Sequence, residues 1–399
     1  MRFPSVDSSR FPCMSVGNLI PFELGTAKVV TLAELKKCDT WKRAFQNKCK
    51  DHRYYEIVEE TLEGFEFHYL LLEDDSSNMR AVQPMFFVRQ NLIEGVPGKI
   101  RSFVDFIRKI FPRFLTMRVL MVGCAAGAGD LGAREEKDEA WAAHALLASL
   151  GKYARQNRAS LIVLKDFPTK YRSVLETFSS KGYARIPSMP MNRLPLHYNG
   201  WDEYFRTLSK ATRKDLRRKF RKAESAAKID MEIVSDIAPY IDEAYPLYLA
   251  VHERSPLKFE RLTKNYFCAI GQRMADRARF FIWRQSGRIV AFSFCLVCDD
   301  AIYDECIGLD YTVALDLHLY FYTLRDIISW ALQKGLKSYY SNPLNYEPKL
   351  HLDCELAPLD LYVLHTNAFL NPIFRRAIKY LGPTRHDPIL RRFPNADQL

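Results

Sequence analysis

The same order of secondary-structure signals runs through this chain twice, and that recurrence constrains the fold more than any single motif. Helical apolar spacing predicts a helix over 31–47, and alternation predicts strands over 65–72 and 81–88 around the polar turn 73–78. A strand over 117–122, a glycine-rich turn, a helix over 135–157 and a strand over 160–165 follow. A helix over 171–180 and a closing strand over 183–194 complete the half. The second half repeats the plan, beginning with a helix over 237–253 and a hairpin of strands over 278–283 and 289–297 around the turn 284–288. A strand over 301–308, a helix over 317–334 and strands over 336–341 and 356–364 end it. The offset of roughly 180 to 210 residues is far longer than a solenoid repeat, so two similar α/β units meeting near residue 196 are expected. With 399 residues, 48% apolar and 13% aromatic, the chain can fill such cores, which excludes a disordered or collagen-like polymer.

Other classes fall away. No run approaches the ~20 apolar residues that span a bilayer, so no integral membrane segment is expected. The N-terminus lacks the apolar core of a signal peptide, so a cytoplasmic location is expected. Nine cysteines, odd in number and scattered from Cys13 to Cys354, do not form a disulfide framework. Cys295 and Cys298 make a CxxC inside an apolar run, without a second pair or a spaced His pair, so core thiols rather than a metal site are expected. Walker A, HExxH and GxSxG signatures are absent, which argues against P-loop hydrolysis, zinc proteolysis and α/β-hydrolase chemistry.

The formal charge is +11, concentrated in one segment. From 209 to 222, Lys210, Arg213, Lys214, Arg217, Arg218, Lys219, Arg221 and Lys222 face the single acid Asp215. Leu208, Leu216, Phe220 and Ala223 recur at helical spacing, so the segment reads as a helix with one buried stripe, capped by Ser209 or Thr212. So many like charges repel one another and invite an anion. Two readings stand: a solvated helix face, or contact with phosphates of a nucleotide-bearing cofactor, a phosphorylated substrate or RNA. A second basic amphipathic stretch, 99–118, packs on a core or lies on a membrane surface.

Three constellations can carry chemistry. Gly127-Ala128-Gly129-Asp130-Leu131-Gly132 satisfies GxGxxG between a strand and a long helix, where backbone N–H groups can approach an anion. The acidic stretch that follows it and the hairpin-rich order before it fit a plain turn better than a dinucleotide site. The segment 338–351 gathers polar, aromatic and ionisable groups after a strand: Lys349 can hold a negative group or a developing oxyanion, and Tyr346 can donate a proton. It reads equally as a proline-stiffened surface loop. Asp304 and Glu305 are adjacent in an apolar strand and must face opposite sides, so one can act as general base or form a salt bridge to the cationic helix. His318 and Tyr320 open the next helix, where packing and capping roles compete with ligand contact.

The pattern resembles the double-domain branch of the GNAT acyltransferase superfamily, close to the Fem-type peptidoglycan aminoacyltransferases. Three stretches carry the resemblance: Trp201 to Phe205 leading into Leu208-Ser209-Lys210-Ala211-Thr212-Arg213 and its basic continuation, Leu319-Tyr320 through Gly335-Leu336, and Tyr346-Glu347-Pro348-Lys349. It implies an α/β (α+β) fold of two tandem GNAT-like domains, each a mixed, largely antiparallel sheet flanked by helices, at 25–195 and 196–395. It also implies acyl transfer to an amine without a covalent enzyme intermediate, from an acyl-CoA or acetyl-CoA donor or from aminoacyl-tRNA. Arg213, Arg217 and Arg218 would then meet phosphates and Lys349 the donor or acceptor. Gly127, Ala128, Gly129, His318 and Tyr320 complete the expected donor site, while Lys349, Tyr346, Asp304 and Glu305 form the expected catalytic set. Cys124 stands where the family's pyrophosphate loop has Arg or Gln, no glycine follows Gly308 until Gly335, and no heptad arm for tRNA is present. The expectation is an N-acyltransferase using an acyl-CoA-type thioester. The alternatives are a tRNA-dependent transferase acting on a cell-wall precursor, and a non-catalytic protein that binds RNA or a membrane surface.

Overall fold

The computed structural model describes residues 19–91, 116–226, 228–378, 380 and 382–399. The basic stretch 99–118 lies, up to residue 115, outside the described residues. The first half provides strands β1 (Leu19–Phe22), β2 (Gly25–Val30), β3 (Glu66–Asp74), β4 (Met79–Asn91), β5 (Thr116–Val122), β6 (Leu161–Pro168), β7 (Ala184–Pro187) and β8 (Met191–Pro195). The second provides β9 (Ile229–Val234), β10 (Ala278–Gln285), β11 (Arg288–Cys298), β12 (Ala301–Leu309), β13 (Ser338–Ser341), β14 (Glu355–Ala357) and β15 (Leu359–His365). The helices are α1 (Leu32–Leu35), α2 (Asp39–Phe45), α3 (His52–Thr61), α4 (Glu139–Gln156), α5 (Arg172–Ser180) and α6 (Trp201–Thr207). They continue as α7 (Lys210–Ala226), α8 (Ile241–Arg254), α9 (Lys264–Arg273), α10 (Leu319–Gln333), α11 (Tyr346–His351), α12 (Asn371–Ile378) and α13 (Pro383–His386).

Two mixed sheets flanked by helices result, the architecture of two tandem GNAT-like units. One sheet runs β1-β2-β3-β4-β5-β6-β15-β7 and the other β14-β8-β13-β12-β11-β10-β9. Each holds one parallel pair, β5 with β6 and β12 with β13, among antiparallel neighbours. The halves exchange strands: β15 enters the first sheet between β6 and β7, and β8 enters the second between β14 and β13. The expected closing strands 183–194 and 356–364 are each two strands in different sheets. Pro190 and Pro358 sit in the respective breaks, where a residue without an N–H cannot continue a ladder. The two crossings touch: the Ser188 N–H donates to the Leu359 carbonyl at 2.8 Å.

The sheets share one core on their facing sides, where Val82, Phe86 and Met121 of the first meet the cluster containing Phe280, Phe292 and Phe294 of the second, with α3 and α9 between. Two further cores cover the outer faces, one under α4 and α5, the other under α6, α7 and α10. The helix expected over 31–47 is two short helices, the first closed by a Thr31–Glu34 capping box. The expected loop 342–351 ends in helix α11, which follows two residues in left-handed conformation, Leu344 and Asn345. Its Pro348 lies in the first turn, where no N–H is missed. No sequence expectation covered β1, β2, β9, α3 or α9.

Candidate active site

Strands β12 and β13 run parallel as far as the pair Asp304–Ser341 and then part. Strand alternation sends Asp304 and Glu305 to opposite faces of this fork, as the sequence requires. On the outer face, Asp304 accepts the Ser293 hydroxyl at 2.5 Å and the Tyr339 hydroxyl at 2.8 Å. Burial raises its carboxyl, against the pull of these two donors. Helix α11 brings Lys349 to the same face, where it is 3% exposed. Its ammonium donates to the carbonyls of Asn342 and Leu344 at 2.5 and 2.8 Å. Burial lowers it to about 8, opposed by the charge of Asp304.

On the inner face, Glu305 accepts Lys50 from the other half of the chain at 2.9 Å, with side-chain exposures of 7% and 13%. Burial pushes the Lys50 ammonium down, but Glu305 more than compensates and holds it above the ordinary lysine range. Lys50 lies 5.0 Å over the Tyr54 ring, and Tyr54 donates to the Ala126 carbonyl at 2.7 Å while bonding the Tyr266 hydroxyl at 2.8 Å. Asn342 bridges the two faces: its side-chain amide reaches the Glu305 carboxylate at 3.4 Å while its carbonyl accepts Lys349. Close by, Lys165 donates to the Gly127 carbonyl at 3.0 Å and to Asp166 at 2.7 Å. Burial raises the Glu260 carboxyl, opposed by the charge of Lys165. Ionisable and polar groups from both halves therefore gather around the fork.

The remaining expected residues are placed as follows. The Tyr346 phenol, 1% exposed, donates to the Pro190 carbonyl at 2.9 Å and clamps α11 onto the β7–β8 crossing. Ser209 caps α7 by accepting the Thr212 N–H at 3.1 Å, and Leu216, Phe220 and Ala223 form the buried stripe. Arg213 donates to the carbonyls of Arg206 and Leu208 at the end of α6, and Arg217 lies 5.2 Å over the Phe205 ring. Arg218 pairs with Asp215 at 2.8 Å and remains exposed. Lys219 sits 3.7 Å over the Phe321 ring, and Lys222 is 3.7 Å from Asp316, so the cationic face borders the turn before α10. His318 occupies the N-cap of α10 with φ 49° and makes no side-chain cap. Burial, then Lys219, lowers its imidazole. Tyr320 lies near Asp304, its phenol raised by burial.

The turn holding Gly127, Ala128 and Gly129 packs closely on its own chain. Gly127 has φ 132°, and a Cβ there would overlap Lys50. The Gly129 N–H donates to the Asp166 carbonyl at 2.9 Å, and a Cβ at Gly129 would overlap the Lys165 carbonyl. The close approach these glycines permit is therefore to Lys50 and β6. Lys50, Tyr54, Lys165, Glu260 and Tyr266 were not singled out in the sequence. Lys50 is 255 positions from Glu305 and sits in no motif, so no local signal announces it.

Residues 210–347 match the model of the acetyltransferase (GNAT) domain. The solved structure of FemX is similar at TM-score 0.51 and 12% identity, covering 88% of this chain and all of that one. The L-PGS structure from Bacillus licheniformis is similar at TM-score 0.48 and 11% identity, covering 84% and 97% of the two chains. A tandem GNAT protein from the clavulanic acid biosynthesis pathway gives 0.46 and 9%, covering 86% and 99%. A search of curated proteins finds no match. The chain shares the fold of FemX over most of its length, and its second half holds the matched GNAT acetyltransferase domain. Among the described residues no helix is long and apolar enough to cross a membrane.

Proposed function

We propose that the chain is an N-acyltransferase that moves an acyl group from a CoA-type thioester to an amine by direct attack, its units at 25–195 and 196–395 acting together at the fork. The observation that carries this reading is the fork at Asp304–Ser341, with a buried lysine on one face and the Lys50–Glu305 pair on the other. The donor's phosphates meet the exposed cations of α7, Arg218 and Lys222 foremost, beside the turn before α10. The thioester carbonyl lies at the tip of the fork. The amine enters between the halves, and Glu305 takes its proton as the C–N bond forms. The ammonium of Lys349 holds the oxyanion and gives its proton to the departing thiolate, a transfer that a lysine titrating near neutrality makes easy. Asp304 orients this group through its charge, and Tyr346 positions α11.

Thermal-shift titration with CoA, acetyl-CoA, long-chain acyl-CoAs and bulk tRNA at two salt concentrations tests the reading, because a ligand of the folded state raises the melting temperature. The reading requires a thioester-dependent shift and acyl transfer that Lys349→Met lowers about 10²–10³-fold while the shift persists. No shift with any thioester overturns it. The exposed cations of α7 favour a second reading, transfer from aminoacyl-tRNA, which predicts a shift with tRNA alone that fades at high salt.

A further inference from the structure

Helix α12 and its flanking residues carry apolar side chains of which only some have a partner. Phe374 and Ile378 face inward, the Phe374 ring tilted against His365 with centroids 5.8 Å apart, and Ile378 is buried in the shared core. Outside that contact lie Phe369 and Leu370 in the turn before the helix, Ile373 within it and Tyr380 beyond it, with exposures of 90%, 48%, 68% and 65%. Phe369, Leu370 and Ile373 sit on an ordered turn and the start of the helix. Asn367 caps the turn by accepting the N–H groups of Phe369 and Leu370 at 2.9 and 3.2 Å. Asn371 ties the helix down, its amide donating to Gly182 and its carbonyl oxygen accepting the His365 N–H, both at 3.0 Å. A rigidly mounted set of large apolar groups in water is unusual and marks an interaction surface.

Charge identifies the occupant. From Leu361 to His386 the sequence holds no acid, while Arg375, Arg376, Lys379 and Arg385 lie within it, and exposed Lys181 adjoins Gly182. We propose that α12 and its flanking turn dock on an anionic lipid surface. The exposed apolar residues enter the headgroup–acyl boundary, and the exposed arginines of the helix meet lipid phosphates. This does not depend on the identity of the acyl donor or acceptor. It would hold the enzyme at a membrane through an interfacial contact.

Vesicle co-sedimentation with the full chain tests the proposal, using phosphatidylcholine alone and equal parts of phosphatidylcholine and phosphatidylglycerol. Binding to the mixed vesicles only, weakened by salt, is expected. Arg375→Ala/Arg376→Ala should weaken it roughly 25-fold, about fivefold per arginine. Phe369→Ser/Ile373→Ser should weaken it at least about tenfold without lowering the unfolding midpoint, since both residues point to water. The proposal is overturned if the wild type ignores anionic vesicles or if neither variant changes the binding. It is also overturned if light scattering shows a dimer that Phe369→Ser/Ile373→Ser dissolves, because the exposed apolar residues would then belong to a second copy.

Discussion

Replacing Lys349 with methionine keeps most of the buried volume and removes the charge, so the electrostatic burden of this lysine becomes measurable. Burial lowers the ammonium from 10.5 to about 8, so between those values the unfolded chain binds a proton that the folded chain has released. Stability must then rise with pH through that window, and below it the charged, buried group weighs against folding by about 3 kcal/mol. At neutral pH the burden is offset by two hydrogen bonds to the carbonyls of Asn342 and Leu344, each about 1.5–3 kcal/mol for a charged donor. Lys349→Met should therefore be close to neutral in stability at pH 7. The wild type should gain on the variant by about 2 kcal/mol on going to about pH 9.5. Urea denaturation of both proteins at each pH reads this directly, because every other titration cancels in the difference. A difference that stays flat within about 0.5 kcal/mol would refute the depressed lysine and, with it, the reason for giving Lys349 the proton. Turnover should fall about tenfold per pH unit above 8 in the wild type. In the variant it should be about 10²–10³-fold lower below pH 8, the usual loss on removing an oxyanion donor, and should lack the fall above pH 8.

Three more outcomes follow from the geometry. Lys50→Met strands the nearly buried Glu305 carboxylate and should cost about 3–5 kcal/mol in chemical denaturation, much of it restored by adding Glu305→Gln. Asp360, 1% exposed, accepts Arg172 at 2.6 Å and Arg185 at 3.3 Å and anchors the exchanged strand β15. Because both arginines can rehydrate, Asp360→Asn should cost about 2 kcal/mol, with faster hydrogen exchange confined to 359–365 and 184–187. Gly127→Ala meets both a positive φ and Lys50, so calorimetry should show a loss of at least about 2 kcal/mol and a weakened Lys50–Glu305 contact.

What could be read from the sequence was local. Alternation and turn residues located the hairpins around 73–78 and 284–288, helical spacing located α4, α7 and α10, and adjacency alone put Asp304 and Glu305 on opposite faces. The buried stripe and Ser209 cap of the cationic helix followed from spacing and side-chain chemistry. Short elements escaped for the same reason: the edge strand β9 is polar and half-exposed, and α11 is too brief for a period to show.

The sequence by itself determined which segments pair with their immediate neighbours and where positive charge accumulates, because those depend on residues a few positions apart. Only the tertiary structure decided that the halves trade their last strands. A strand of a few residues carries no record of which sheet edge it will meet, and Pro190 and Pro358 merely allow the turn. It likewise decided that the glycine turn closes around Lys50, that Tyr346 spends its hydroxyl on Pro190, and that Lys50 meets Glu305 across 255 positions. A buried charge takes whatever partner the packed cores bring within reach, and that choice is made in three dimensions.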